Sequence, residues 1–161
     1  MSCSQTLTAI QLDCNSSIGG IKKVWIGNYN ETSFSGTGDT VTATGTFIPF
    51  EFRKQTGSLS STLNVDDAAG SNYVTSELVL RFSKMDTNKR LQIAALSKTP
   101  LRVVVEDNNG ERFALGVDNY VSASGGNGNT GTNFGDSNEY SIILKDESKE
   151  MPKLVTGEIP E

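Results

Sequence analysis

The 161-residue sequence predicts a mainly β protein (α+β), a β-sandwich or barrel with one flanking α-helix and long inter-strand loops. Three observations carry that expectation. Apolar and polar residues alternate with period two in stretch after stretch, and only one stretch has helical periodicity. Turn-forming residues recur at the spacing of a sandwich or barrel, which allows roughly seven to nine strands.

Residues 73–117 hold the clearest signals. Val74, Leu78, Leu80 and Phe82 share one strand face with Ser76, while Tyr73, Thr75, Glu77 and Arg81 lie opposite with Val79, so the first face covers a core. Asp86 or Thr87 is placed to cap a helix. Leu91, Ala94 and Ala95, with Ile93 and Leu96 beside them, make an apolar stripe that ends before Pro100, and this helix is expected to lie on the sheet. Leu101 to Val105 is almost wholly apolar and reads as a buried strand. Asp107-Asn108-Asn109-Gly110 is turn chemistry, and Phe113, Leu115 and Val117 alternate after it with Arg112, Ala114 and Gly116, which predicts a hairpin.

The flanking segments divide the chain into an N-terminal arm (1–20), a β domain (21–145) and an extended C-terminal tail (146–161). The arm is polar and serine-rich up to Gly19-Gly20. Ile21 to Gly27 is the first strand, with Lys22 and Lys23 as solvated edge charges and Trp25 as a core residue. Asn28 to Asp39 reads as a loop. Its Ser35-Gly36-Thr37-Gly38-Asp39 does not qualify as a phosphate cradle, because a strand, not a helix, follows. Threonines alternate with Val41, Ala43, Gly45 and Phe47 from Thr40 onward, giving a polar face. Ile48, Phe50 and Phe52 then shift parity at Pro49, where a bend is expected. Ser58 to Val65 alternates again, with Leu59, Leu63 and Val65 opposite Ser58, Ser60, Thr62 and Asn64. Asp66 to Asn72 is a solvated connection. Ser124 to Gly135 is a low-complexity loop with only Phe134 to bury, read either as a tolerated floppy insertion or as a segment that orders against a neighbouring subunit with Phe134 as anchor. Tyr140, Ile142 and Leu144 mark a closing strand. The charged tail offers Met151, Leu154, Val155 and Ile159 for docking on a partner.

Composition narrows the function classes. A net charge of −5 argues against gripping nucleic acid through its phosphates, yet suits a surface that DNA must slide past. Cys3 and Cys14 are expected to be two thiols of the arm, with a disulfide as the other reading; ten residues between them is not a zinc spacing. No signal peptide or membrane span is read, and the sequons at Asn15 and Asn30 carry no weight in a cytoplasmic chain. With no histidine, Ser-His-Asp and Cys-His activation are ruled out and the commonest general base is missing, so no enzyme, cofactor or metal is expected. Adjacent Asp66 and Asp67 point apart, and Asp107 to Glu111 lacks the length of a calcium loop.

Val103 to Gly116 (Val-Val-Val-Glu-Asp-Asn-Asn-Gly-Glu-Arg-Phe-Ala-Leu-Gly), the Gly/Asn/Thr stretch after it, and Gly135 to Leu144 (Gly-Asp-Ser-Asn-Glu-Tyr-Ser-Ile-Ile-Leu) together resemble tail-tube-like structural proteins of bacteriophages. Gly19 to Trp25 is similar to the opening strand of tail proteins from crAss-like and other phages of Bacteroidetes-type hosts. Glu139 departs from the glycine common before the tyrosine. The resemblance implies a tail-tube-like fold in a virion structural protein, assembled in the bacterial host cytoplasm as a six- or twelve-fold homo-oligomeric ring. The ring would stack in a tail or head–tail connector, contact other ring proteins and the portal, and line the channel for DNA and cargo ejection, with no specific DNA binding and no membrane partner. Channel-lining candidates are Thr40, Thr42, Thr44, Thr46, Ser58, Ser60 and Thr62, from stretches expected to form one sheet with Tyr73 to Phe82. Subunit-contact candidates are Asn28, Tyr29, Phe34, Gly126, Asn129, Phe134, Met151 and Leu154. The alternative is a carbohydrate-binding β-sandwich module on a virion or bacterial surface, with Trp25, Tyr29 and Tyr120 as its aromatic face.

Overall fold

Alternation of the kind seen in Tyr73 to Phe82 recurs through the molecule and yields a mainly β structure, 49% strand with one helix. The structure is a computed structural model that describes residues 6–36 and 38–161. The elements are β1 (Ile21–Asn28), β2 (Thr32–Ser35), β3 (Thr40–Gly45), β4 (Ile48–Phe50), β5 (Ser58–Asp66), β6 (Ser71–Ser83), α1 (Thr87–Lys98), β7 (Leu101–Asp107), β8 (Arg112–Leu115), β9 (Ser122–Asn129), β10 (Glu139–Ser148) and β11 (Lys153–Val155). They build a seven-stranded sheet, in the order β2-β3-β11-β8-β7-β1-β4, and a four-stranded sheet, β5-β6-β10-β9.

The long strand β6 pairs antiparallel with β10, matching Leu78 to Leu144 and Leu80 to Ile142. Those four side chains point inward and are buried against Val24, Ile26, Val103, Val105 and Leu115 of the other sheet, with Ile21, Leu101 and Val121 around them. Each such side chain contributes about 1.5–3 kcal/mol by leaving water. Strand β7 explains why Leu101 to Val105 lacks alternation. Val103 and Val105 enter this core, whereas Val104 points the other way, in register with Trp25 and Ala114, into a second core containing Val41, Ala43, Phe47 and Val155. The seven-stranded sheet is covered on both faces.

Three stretches depart from the sequence expectation. The tail is not an outlying segment. Strand β10 runs on to Ser148, and β11 inserts into the seven-stranded sheet, parallel to β3 and antiparallel to β8. Val155 is buried there, Trp25 Nε1 donates to Glu161 Oε1 at 2.9 Å, and Phe47 N–H donates to the Pro160 carbonyl at 2.9 Å. The second core would be open to water without these residues, so Met151 and Leu154 belong to a segment the chain uses for itself. The glycine-rich stretch is not loop throughout, because Ser122 to Asn129 is strand β9, paired with β10. The expected Asn28–Asp39 loop contains β2, whose Phe34 stacks on Phe47 with ring centroids 5.8 Å apart. Phe34 therefore packs within its own chain.

The helix forms where expected, capped by Asp86, whose Oδ1 accepts the Lys89 N–H at 2.9 Å. That bond holds the Asp86 carboxyl below its ordinary value, with the neighbouring Lys89 and Lys84 charges acting in the same direction. Its buried face is rotated from the expected stripe: Leu96 is buried and Ile93 packs on the core, whereas Leu91, Ala94 and Ala95 are exposed. That face offers two large aliphatic side chains against one, Leu91, beside the two alanines, so it removes more apolar surface from water. Pro49 does sit in an edge strand, β4, opposite Trp25. Gly45, at φ +97°, ends β3 where an added Cβ would strike the Glu31 carbonyl.

Candidate functional site: the outer face and edges of the four-stranded sheet

Since side chains alternate across a strand, the residues between those of the core form the outer face of the four-stranded sheet. Its rows follow from the register. Ser58, Val79, Ile143 and Gly125 lie side by side, as do Ser60, Glu77, Lys145 and Ser122. Thr62, Thr75 and Glu147 form a third row, and Arg81, Ser141 and Asn127 a fourth. This is a hydroxyl- and amide-rich surface on which Glu77, Glu139 and Glu147 outnumber Arg81 and Lys145 by one. Arg81 lies 4.0 Å from Glu139, and Lys145 lies 3.2 Å from Glu147. Ser141 Oγ donates to Asn127 Oδ1 at 2.8 Å, and Asn64 Nδ2 donates to Thr75 Oγ1 at 3.3 Å. Nothing on this face presents an excess of positive charge.

The sheet ends in β5 on one side and β9 on the other, each with an unpaired row of backbone donors and acceptors. Neither strand contains lysine or proline, the usual guards of an exposed edge. Strand β9 carries a bulge where Ser124 is left unpaired between Ala123 and Gly125, which bends that edge. Gly126 faces inward, and a Cβ there would stand 2.5 Å from the Ser141 carbonyl oxygen. Its glycine is thus required by the chain's own packing.

The two groups of channel candidates separate. Ser58, Ser60 and Thr62 are exposed on this face, in β5. Thr40, Thr42 and Thr44 are exposed on β3, in the other sheet, and Thr46 follows in the link to β4. The expectation that both stretches share one sheet with β6 is overturned, because β3 pairs with β2 and β11. Among the contact candidates, Asn129 lies on the β9 edge opposite Glu139 and Phe134 is fully exposed. Asn28 is exposed at the end of β1, where its carbonyl accepts from the Thr32 hydroxyl at 2.6 Å. Tyr29 lies under Arg102, whose Cζ is 3.9 Å from the ring centroid and whose Nη1 donates to the Thr32 carbonyl at 2.7 Å. Met151 is half-exposed, and Leu154 sits in β11 between Thr40 and Phe113. Cys14 is exposed, and Cys3 lies outside the described residues.

The aromatic candidates for sugar binding do not make a shared face. Trp25 is only 5% exposed, while Tyr29 and Tyr120 pack edge to face at 6.1 Å. One polar group escaped sequence reasoning altogether. Asp146 faces inward on β10, opposite Ser76, with Oδ1 lacking any hydrogen-bond partner. Burial pushes its carboxyl up to about 6, the neighbouring charges of Asp118 and Glu147 add to this, and a bond from the Gly116 backbone opposes it. Asp146 and Asp118 line a cleft of ≈ 150 Å³, below the roughly 300–1,000 Å³ of ordinary ligand sites. Among the described residues, no helix is long and apolar enough to cross a membrane. Compared with known proteins, the chain matches no family model, no curated protein and no solved structure.

Proposed function

We propose that this chain is a structural subunit of a bacteriophage tail or head–tail connector, forming a homo-oligomeric ring whose bore is lined by the outer face of the four-stranded sheet. The observation that carries the reading is the pair of edges, β5 and β9, that lack lysine and proline, on a sheet whose polar outer face has no cationic excess. An even number of antiparallel strands makes β9 of one copy run antiparallel to β5 of the next around a ring axis. Joining them continues the ladder from subunit to subunit and closes it into a barrel, which removes both edges at once. Ser58, Ser60 and Thr62 then face the bore together with Thr75, Glu77, Ser141 and Asn127. Such a lining offers DNA no row of cations, so phosphates pass without being held. The bulge at Ser124 supplies curvature at the closing edge. The covered seven-stranded sheet forms the outer wall.

The reading is tested by negative-stain microscopy of the purified chain at high concentration, beside Asn127→Lys/Asn129→Lys. Both positions are exposed on the β9 edge, so lysines there guard the edge while leaving the fold intact. Rings in the unaltered protein and folded monomers in the variant are expected. Rings that survive the two lysines would overturn the β5–β9 joint.

A further inference from the structure

The ring reading concerns the sides of the four-stranded sheet; its two ends differ from each other in a way that suggests how rings join. The β5–β6 hairpin outruns its neighbour. Strand β10 stops at Ser148, opposite Val74, while Asn64, Val65 and Asp66 continue to pair with Tyr73, Asn72 and Ser71. At the projecting tip are Asp66 and Asp67, with Asp66 Oδ1 accepting the Ala69 N–H at 3.2 Å to brace the turn. Just behind it, Leu63 and Val65 share one face of the hairpin and are 51% and 59% exposed, with Tyr73 on the other face. Among the described residues, nothing covers this acidic tip and apolar neck.

The opposite end of β6 is basic. A cleft of ≈ 630 Å³ opens there, lined by Arg53, Arg81, Lys84 and Phe134 with Asp136 and Glu139. Both acids in it are engaged: Asp136 Oδ2 accepts the Thr132 and Asn133 N–H groups at 2.9 and 2.8 Å, and Glu139 faces Arg81. The Asp136 bonds hold its carboxyl below the usual range and fix the turn that presents Phe134 to solvent. Arg53 is held by Nε donation to Ser83 Oγ at 2.7 Å. Lys84 has φ +66° and Gln55, beside Arg53, has φ +65°, the two non-glycine residues in that region among those described. Left-handed backbone at non-glycine residues is uncommon and gathers at functional sites.

We infer that the Asp66–Asp67 tip of one copy docks against Arg53 and Lys84 in the cleft of the next copy along the strand axis, with Phe134 against the exposed Leu63 and Val65 of the neck. The inference rests on the ring reading and adds the axial contact to it. One strand, β6, carries the tip at Ser71 and the cleft at Ser83, so copies that share an axis present opposite charges to each other at every joint. The contact is heterologous and does not close on itself, which generates an open stack rather than a dimer. Apolar area at the neck supplies affinity, and the charges set polarity and register.

The test uses the full chain carrying Cys3→Ser and Cys14→Ser, with either Asp67→Cys or Phe134→Cys added. Under mild oxidation, a mixture of the two proteins is expected to give disulfide-linked dimers containing one of each, and either protein alone is expected to give almost none. Added salt lowers the yield by screening the joint. Charge reversal supplies the second arm: Asp66→Lys/Asp67→Lys lowers stack formation about tenfold or more, and mixing that protein with Arg53→Glu/Lys84→Glu restores it. Equal cross-linking in Asp67→Cys alone overturns the inference, since tip would then meet tip. Rings seen by microscopy with no cross-linking in the mixture also overturn it and leave the ring reading standing. Cross-linking without rings supports the axial joint and removes the ring.

Discussion

The two sheets grow from the same period-two alternation, yet one is covered on both faces and the other on only one. The chain completes the seven-stranded sheet with its own segments: Phe34, Phe47, Val155 and Ile159 pack on the back of β1, β7 and β8, and β11 fills the gap between β3 and β8. Among the described residues, no comparable segment reaches the outer face of the four-stranded sheet, and no strand pairs with the free edge of β5 or of β9. The first sheet is finished within one subunit. On the proposed reading a neighbouring copy finishes the second, and for this reason the functional reading rests on it.

The strongest way to break this comparison is Phe47→Ala. If the second core is as integral as the first, urea denaturation will give a loss of about 3–5 kcal/mol, similar to large-to-small changes in any packed core. A loss under about 1 kcal/mol would reduce the covered back face to an appendage. The next effect in size concerns the buried carboxylate at the base of β10. The folded chain binds the Asp146 proton more tightly than the unfolded chain, with the carboxyl raised from 3.8 to about 6. Stability contributed at low pH is therefore lost as pH rises from about 4 to about 6, by as much as about 3 kcal/mol for this group. Asp146→Asn is expected to flatten that slope and to raise stability at pH 8 by about 1–3 kcal/mol, read from denaturation curves across the pH range. An unchanged slope would sink the assignment.

The smallest effects sharpen the contrast most directly. Thr42→Lys on the seven-stranded sheet and Glu77→Lys on the inner strand β6 of the four-stranded sheet both sit on exposed strand positions, so each should alter monomer stability by no more than about 0.5 kcal/mol. Only Glu77→Lys adds a cation to the proposed bore. In assembled protein it is expected to introduce salt-sensitive retention of double-stranded DNA, with Thr42→Lys behaving as the parent. Equal DNA retention by both would mean that the bore is lined by something else.

Much of this architecture was legible before any coordinates. Strand β6, with Ser76 on the buried face, the Asp86 cap, the Asp107–Gly110 turn and the edge position of Pro49 follow from local chemistry that acts over a few residues. Strand β9 looks like loop in the sequence, because its small polar residues carry no apolar signal. Gly126 and Gly128 alternate with Asn127 and Asn129, a period-two pattern in size instead of hydrophobicity. The helix face was assigned by spacing, whereas burial followed side-chain volume at Ile93 and Leu96. Leu63 and Val65 lie on the face expected, yet are exposed, because the hairpin extends past the opposing sheet.

From its residues alone, the chain specified alternating strands, one capped helix, a doubly buried β7 and the absence of a histidine-based site, since each depends on side chains only a few positions apart. Tertiary structure alone decided that Thr40 to Thr44 and Ser58 to Thr62 belong to different sheets, that the last residues close a core, and that β5 and β9 are left as edges. Those outcomes depend on pairing between segments tens of residues apart. Backbone hydrogen bonds are nearly the same for every sequence, so which strands pair is settled by how the whole set of apolar faces can be buried at once.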